Sequence, residues 1–194
     1  MTRIAEIMLE AKARLKAVEC GVEMLSAGQG DARTGVRNVA VFGRMVTFAT
    51  NNLRSVVEGF IGWDVKAKQR HFDCDECRYM YRLRNVIEKQ ARTPVSVSAH
   101  IRSLDTSDLA RFPRPPRATS FFVGDRNGGS GWMILNADGE KTPFYIDLPP
   151  EVGEAWLDLP EFGGRRALDV SNTYLISLEN YLLDVEDFIN GNKQ

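Results

Sequence analysis

The stretch DECRYMYRLRNVIEKQ, residues 75–90, predicts an amphipathic helix. Each residue of a helix turns by roughly 100°, which places the apolar side chains of this stretch on one arc of about 120°. These apolar residues are Tyr79, Met80, Leu83, Val86 and Ile87, and the opposite face carries Arg78, Arg82, Asn85 and Lys89. Asp73 or Asp75 is expected to cap the helix N-terminus, because a carboxylate accepts hydrogen bonds from the free amides of the first turn.

A second and longer helix is predicted over residues 36–61. Its apolar stripe repeats every three or four positions and comprises Val39, Phe42, Val46, Ala49, Leu53, Val57 and Phe60. A polar line repeats every seven residues on the other side and comprises Arg37, Arg44, Asn51 and Glu58. Extra apolar residues outside the stripe, Val41, Met45 and Phe48, favour a homodimer through this helix. The charged residues 66–70 that follow are expected to form a surface connection.

The rest of the chain sets the fold class. Residues 4–25, and the segment that starts at Asp169 or Ser171, also have apolar residues at helical spacing. After residue 93 the apolar period changes to two, which predicts a strand near residues 95–100. Proline and turn sequences separate further strand candidates at residues 118–123, 132–135, 143–148 and 154–159. We therefore expect an α+β protein, a four-helix bundle with a small antiparallel β-sheet inserted between the third and fourth helices. Its parts would be residues 1–92 with three helices, the β-rich insert 93–165, and residues 166–194 completing the bundle.

Charge is distributed unevenly along the chain. Residues 1–92 contain 16 basic and 11 acidic residues, whereas residues 93–194 contain 9 basic and 15 acidic residues. A basic helical part suits a polyanion such as RNA, although a modest imbalance also arises from solvated surface. No apolar run approaches the roughly 18 residues that cross a bilayer, and the first 15 residues lack the apolar core of a signal peptide. With three cysteines, an odd number, the sequence favours reduced thiols and a cytoplasmic protein without a membrane partner.

The segment YRLRNVIEK, residues 81–89, resembles the end of the third helix in HEPN-type domains. These domains are small helical bundles of prokaryotic toxins and defence proteins that often dimerise and cut RNA. Their motif is an Arg, usually followed by Asn or another polar residue, with a His four to six residues further on. Arg84 and Asn85 match the first part, whereas Lys89, Gln90 and Ala91 stand where the His would fall. The resemblance covers the helical parts, about residues 1–92 and 169–190.

This resemblance implies a HEPN-like protein of a bacterial defence or stress system that binds RNA or a nucleotide. The RNA-binding residues would be Arg44, Asn51, Arg78, Arg82, Arg84 and Asn85, and the catalytic candidates are Arg84, Asn85 and Lys89. A lysine needs a pKa lowered by several units to replace an imidazole, so metal-independent RNase activity is expected to be weak or absent. The residues alone also allow a structural role for Arg84, in which it pairs with Glu88 or Glu58 at a seam of the bundle.

Other chemistry has weaker support in the sequence. His71, Cys74 and Cys77 are spaced as potential zinc ligands, but structural zinc normally uses two well-separated pairs of ligands. No cofactor motif is present: the glycine-rich residues 124–131 lack the Gly-Lys-Ser/Thr ending of a phosphate-binding loop and predict a hairpin turn. The alternative function is a non-catalytic protein–protein interaction module, homodimeric through the second helix or contacting a partner protein through the β insert.

Overall fold

The computed structural model of the chain describes residues 2–27, 31–105 and 107–191. Within these ranges it contains five α-helices and two antiparallel sheets, which confirms the α+β fold class. The helices are α1 Arg3–Ser26, α2 Ala32–Asn51, α3 Phe60–Phe72, α4 Asp75–Gln90 and α5 Ala167–Gly191. The strands are β1 Ser96–Ile101, β2 Ala118–Phe122, β3 Ser130–Leu135, β4 Lys141–Ile146, β5 Gly153–Leu159 and β6 Arg165–Arg166.

The chain divides into two compact units. The helical unit comprises Met1–Val22, Val36–Thr93 and Asp169–Gln194, and the sheet unit comprises Glu23–Gly35 and Pro94–Leu168. No helix in the described part of the chain is both long and apolar enough to cross a membrane.

The prediction of a single helix over residues 36–61 is wrong. Helix α2 ends at Asn51 and a short 3-10 turn, Asn52–Ser55, follows it. Gly59 then has a φ of +71°, a left-handed conformation that interrupts helical hydrogen bonding and that glycine adopts at little cost. The apolar spacing gave no sign of the break, because Leu53, Val57 and Phe60 remain buried on both sides of it.

The charged residues 66–70 are helical and do not form the predicted connection. They lie in α3, whose buried residues are Phe60, Asp64 and Ala67. This spacing of four and three is a helical period, but a carboxylate occupies its central position. A pattern that counts only apolar side chains therefore misses the helix. The described residues accordingly contain five helices where four were predicted, and the sheet unit's strands fall between the fourth and the fifth.

Helix α4 confirms the prediction for residues 75–90, with Tyr79, Met80, Leu83 and Ile87 buried. Its cap differs from the expected one, since Cys74 takes the N-cap position and its Sγ accepts a hydrogen bond from the backbone N–H of Cys77 at 3.3 Å. Asp75 and Glu76 occupy the first turn, where negative charge interacts favourably with the helix dipole.

The core of the helical unit contains buried apolar side chains from all five helices. Its members, each no more than 9% exposed, include Ile7, Ala11, Val18, Val39, Val46, Leu53, Phe60, Met80, Leu83, Leu178, Tyr181 and Val185. Trp63 stacks on Phe188 with ring centroids 4.7 Å apart, joining α3 to α5. Burial of this many large side chains is the main force that holds the five helices together.

The sheet unit contains two three-stranded sheets, β1-β5-β6 and β2-β3-β4, where a single sheet was predicted. All strand pairs are antiparallel, with Val97 opposite Leu157 in the first sheet and Trp132 opposite Phe144 in the second. The glycine-rich loop connects β2 to β3, which confirms its assignment to a hairpin. Asp125 Oδ1 closes that loop by accepting hydrogen bonds from the N–H groups of Asn127 and Gly129.

Candidate functional site

A cavity of about 390 Å³ opens in the helical unit between side chains of α2, α3, α4 and α5. We call it the Arg44 groove. It is lined by Arg44, Thr47, Lys68, Phe72, Cys77, Arg78, Tyr81, Arg82 and Tyr174. Among these described lining residues, four are cations, three are aromatic and none is a carboxylate. Such a lining suits a ligand that carries negative charge and a flat apolar part.

The Arg44 guanidinium makes cation–π contacts with two aromatic rings. Its Cζ lies 4.3 Å from the ring centroid of Phe48 and 4.7 Å from that of Tyr81, and its Nη1 donates a hydrogen bond to Thr47 Oγ1 at 3.1 Å. No carboxylate in the described part of the chain pairs with it. Arg44 is therefore oriented by neutral contacts, and its positive charge and remaining N–H donors are available to an anion.

A buried carboxylate holds one of the lining residues, Lys68. The Asp64 side chain has no exposed surface, and its Oδ2 accepts hydrogen bonds from Lys68 Nζ at 2.8 Å and from Arg54 Nη2 at 3.0 Å. Its Oδ1 accepts the Tyr181 hydroxyl at 2.7 Å. Burial alone would raise the pKa of Asp64, but the hydrogen bonds from Lys68, Tyr181 and Arg54 outweigh burial and hold that pKa below its usual 3.8. Asp64 is thus an ionised structural anchor.

Lys68 connects this anchor to the groove. Besides Asp64, its Nζ donates to Asn51 Oδ1 at 2.7 Å, which fixes the ammonium at the groove wall. Burial lowers the pKa of Lys68, and the nearby charges of Arg54 and Arg44 lower it further, while the Asp64 contact opposes the shift. A bound anion would oppose this lowering, because negative charge near Lys68 and Arg44 stabilises both cations.

Tyr174 lines the groove from α5, and its ring occupies the space that a side chain at position 43 would take. The side chain is only 5% exposed, and a Cβ atom on Gly43 would lie 2.3 Å from Tyr174 Cε1, well inside van der Waals contact. Phe72 meets the Tyr174 ring edge-on, with centroids 6.3 Å apart. Burial raises the pKa of the Tyr174 hydroxyl, so the group stays protonated and can donate a hydrogen bond.

Helix α4 supplies the other wall and two more cations. Arg78 forms ion pairs with Asp73 and Asp75, which neutralise it in part. Arg82 is exposed, and among the described residues it has no hydrogen bond or ion pair. Of the residues that the sequence suggested for RNA binding, the structure brings Arg44, Arg78 and Arg82 to one groove.

Arg84 and Asn85 lie outside the lining of this groove. Arg84 Nη2 pairs with Glu88 Oε2 at 2.6 Å and its Nη1 donates to Asn85 Oδ1 at 3.0 Å. Arg84 also lies 5.9 Å from the Phe48 ring centroid, on the ring that carries Arg44. Lys89 is exposed one turn beyond Asn85. Arg84 therefore has the structural role that the residues alone allowed, with Glu88 as its ion-pair partner. Asn51, another suggested RNA-binding residue, does not line the groove and contacts it only through its hydrogen bond with Lys68.

The zinc candidates each have a separate partner. His71 Nε2 lies 2.8 Å from Asp184 Oδ2, Cys74 caps α4, and the Cys77 thiol donates to Ser177 Oγ at 3.4 Å. Across the described residues, no three His, Cys, Asp or Glu side chains come together in a way that could hold a metal ion.

The sequence did not identify several residues of this site, which are the lining residues Thr47, Lys68, Phe72, Tyr81 and Tyr174 and the carboxylate of Asp64 that holds Lys68. For Asp64 and Lys68 the signal was their spacing of four, since a Lys one turn after an Asp is a helical ion pair. It was not recognised because residues 66–70 were assigned to a connection.

Comparisons with protein-family models, with curated proteins and with solved structures give no significant match to this chain.

Proposed function

We propose that this chain binds RNA or a nucleotide, with a phosphate held in the Arg44 groove. The observation that carries the proposal is the Arg44 guanidinium, which contacts the rings of Phe48 and Tyr81 and has no carboxylate partner among the described residues. A guanidinium presents paired N–H donors that match phosphate oxygens, and a preorganised one loses little entropy on binding.

The other lining groups fit the same ligand. Lys68 and Arg82 add positive charge, and Phe72 and Tyr81 add flat apolar surface on which a base or ribose can rest. At about 390 Å³ the groove accommodates one nucleotide unit, within the 300–1,000 Å³ typical of small-molecule sites.

Cleavage of RNA is proposed to be weak or absent. The lining residues offer no imidazole, and Lys68 is held by Asp64 and Asn51. The HEPN-like assignment and the bacterial defence or stress setting remain proposals that rest on the resemblance of residues 81–89.

The test is fluorescence anisotropy with labelled single-stranded RNA at low salt, with unlabelled nucleotides as competitors. Loss of a charge-assisted phosphate contact of about 1.5–3 kcal/mol corresponds to a roughly 10- to 150-fold weaker complex, and we expect Arg44→Ala to fall in that range. Arg37→Ala is the matched control, because Arg37 is an exposed arginine two turns earlier on the same helix and does not line the groove. Equal affinity of the two variants would contradict the proposal.

A homodimer is the second candidate function, and we propose that α3 forms its interface. Ile61 and Val65 are each 59% exposed and lie one helical turn apart, so they form an apolar strip. The predicted dimer surface on the second helix is less suitable, since Phe48 packs against Arg44 and both Val41 and Met45 are half-buried. Analytical ultracentrifugation of wild type and Ile61→Lys/Val65→Lys tests this: a wild-type monomer at high concentration would reject it.

A further inference from the structure

We propose that Cys74 and Cys77 are a redox-active dithiol that a low-molecular-weight disulfide oxidises to an internal disulfide across the first turn of α4. The inference is independent of the proposed nucleotide binding. All three cysteines of the chain are free thiols in the structure.

The geometry of the N-cap turns the Cys74 side chain back towards Cys77. Within a regular helix, Cβ atoms three residues apart lie about 5–6 Å apart, farther than the roughly 3.5–4.5 Å that a disulfide requires. Cys74 avoids this limit because its backbone is extended, with φ −107° and ψ 160°, and its side chain folds back over the turn. Its Sγ lies 3.3 Å from the backbone nitrogen of Cys77.

The two thiols differ in their exposure to solvent, as the two cysteines of a dithiol exchange reaction must. Cys74 is partly exposed at the N-terminus of the helix, so it is the sulfur that a small disulfide can reach. Cys77 is 3% exposed. Burial, followed by the neighbouring Cys74, raises the pKa of Cys77 to about 12, which keeps its thiol protonated and unreactive towards reagents in solution. The pair thus has an attacking and a resolving member.

The reaction balances with one molecule of the external disulfide, RSSR. Cys74 thiolate attacks one sulfur of RSSR, which forms the mixed disulfide Cys74–S–SR and releases RS⁻. The Cys77 thiol then gives its proton to the first RS⁻ and attacks Cys74 Sγ, which forms the Cys74–Cys77 bond and releases the second RS⁻. That second RS⁻ takes up from solvent the proton that Cys74 lost when it became a thiolate. Two cysteine thiols are oxidised and RSSR is reduced to two RSH.

Oxidation has a local structural consequence. In the reduced chain the Cys77 thiol donates to Ser177 Oγ at 3.4 Å on α5, and Cys77 also lines the Arg44 groove. The disulfide removes that S–H donor and draws the sulfur towards Cys74. The redox state of the pair therefore alters the contact between α4 and α5 at the groove wall.

The test equilibrates the full chain with graded ratios of oxidised to reduced glutathione and maps the cysteines by mass spectrometry. We expect wild type to lose the mass of two hydrogen atoms and to yield a peptide that links Cys74 to Cys77, both reversed by dithiothreitol. Cys77→Ser should stop at the intermediate with one glutathione on Cys74, while Cys74→Ser should leave Cys77 unmodified. Cys20→Ser is the matched control and should behave as wild type.

Two results would overturn the proposal. One is wild type that carries glutathione on both cysteines without an internal link; the other is wild type whose Cys74 and Cys77 both stay reduced at the most oxidising ratio. The wild-type map requires no variant to fold, so it decides the question even if Cys77→Ser is unstable by circular dichroism.

Discussion

The guanidinium carbon of Arg44 lies 4.7 Å from the centre of the Tyr81 ring, a contact that joins α2 to α4 at the mouth of the groove. Arg44 would otherwise sample many rotamers, and ordering a long cationic side chain costs up to about 2 kcal/mol. The contact with the Tyr81 ring therefore restricts the rotamers of Arg44 before a ligand binds.

Replacing Tyr81 should weaken ligand binding without unfolding the protein. Cation–π contacts at exposed sites contribute about 0.5–1 kcal/mol, so Tyr81→Leu should reduce affinity for single-stranded RNA roughly two- to five-fold. Tyr81 is 47% exposed, and we expect little change in the melting temperature. Tyr81→Phe keeps the ring and should bind as wild type; an equal loss in both variants would show that the hydroxyl, and not the ring face, is what matters.

Removing the buried carboxylate should destabilise the fold. Asp64→Asn leaves Lys68 and Arg54 without their shared anion, and we expect a loss of about 2–3 kcal/mol, below the roughly 3–5 of fully buried pairs because both cations are partly exposed. Urea denaturation measures this difference. Tyr181→Phe, which leaves one Asp64 oxygen without a donor, should cost about 1–3 kcal/mol. Asp64→Asn with unchanged stability would refute the anchoring role.

The ionised Asp64 carboxylate should make the stability of the fold depend on pH. The pKa of Asp64 in the folded chain lies below its usual 3.8, because hydrogen bonds from Lys68, Tyr181 and Arg54 outweigh the effect of burial. Above pH 3.8 the carboxylate is ionised in both folded and unfolded chains, and its stabilising contribution is fully present. Below that pH the unfolded chain takes up the proton first, so the contribution is lost as pH falls through the folded pKa. The stability gap between wild type and Asp64→Asn should therefore narrow below pH 3.8 in urea titrations.

A methyl group at Gly43 should disturb the groove wall. Alanine favours a helix over glycine by about 1 kcal/mol, yet the new Cβ would overlap the buried Tyr174 ring, and overpacking typically costs about 1–3 kcal/mol. We expect Gly43→Ala to lower the melting temperature. Gly62→Ala is the matched control, since Gly62 lies in α3 with no atom within 4 Å of an added Cβ, and it should be neutral or stabilising. In a Tyr174→Leu background, Gly43→Ala should no longer lower the melting temperature. A decrease that persists in this background would show that the added methyl group clashes with a residue other than Tyr174.

The sequence predicted much of the fold because its apolar periods are regular. Helix α4 and strand β1 were recognised from spacing, and strands β2 to β5 from the proline and turn sequences that separate them. The cations Arg44, Arg78 and Arg82 were assigned to the polar faces of helices. The break near Gly59 was missed because the apolar stripe continues through it. Helix α3 was missed because Asp64, a carboxylate, occupies a core position. Its burial depends on hydrogen bonds from Arg54, ten positions earlier, and from Tyr181, 117 positions later.

The composition of the groove was harder to predict for the same physical reason. Arg84 and Asn85 were favoured by a local motif, but the orientation of a side chain at the edge of a helix depends on neighbours in space. Glu88 pairs with Arg84, while Tyr81, one helical turn before Asn85, faces Arg44. Tyr174 joins the site from α5, 130 positions after Arg44, and spacing within a helix carries no information about such a contact.

The most direct test of the central claim is the salt dependence of RNA binding for wild type and Arg44→Ala. Each phosphate contact with a single strand contributes a slope of about −0.7 to log K against log salt concentration. If Arg44 contacts a phosphate, the slope for Arg44→Ala should be shallower than that of wild type by about 0.7, and the slope for Arg37→Ala should be unchanged. Identical slopes for all three proteins, or no detectable binding of RNA at low salt, would contradict a phosphate-binding groove at Arg44.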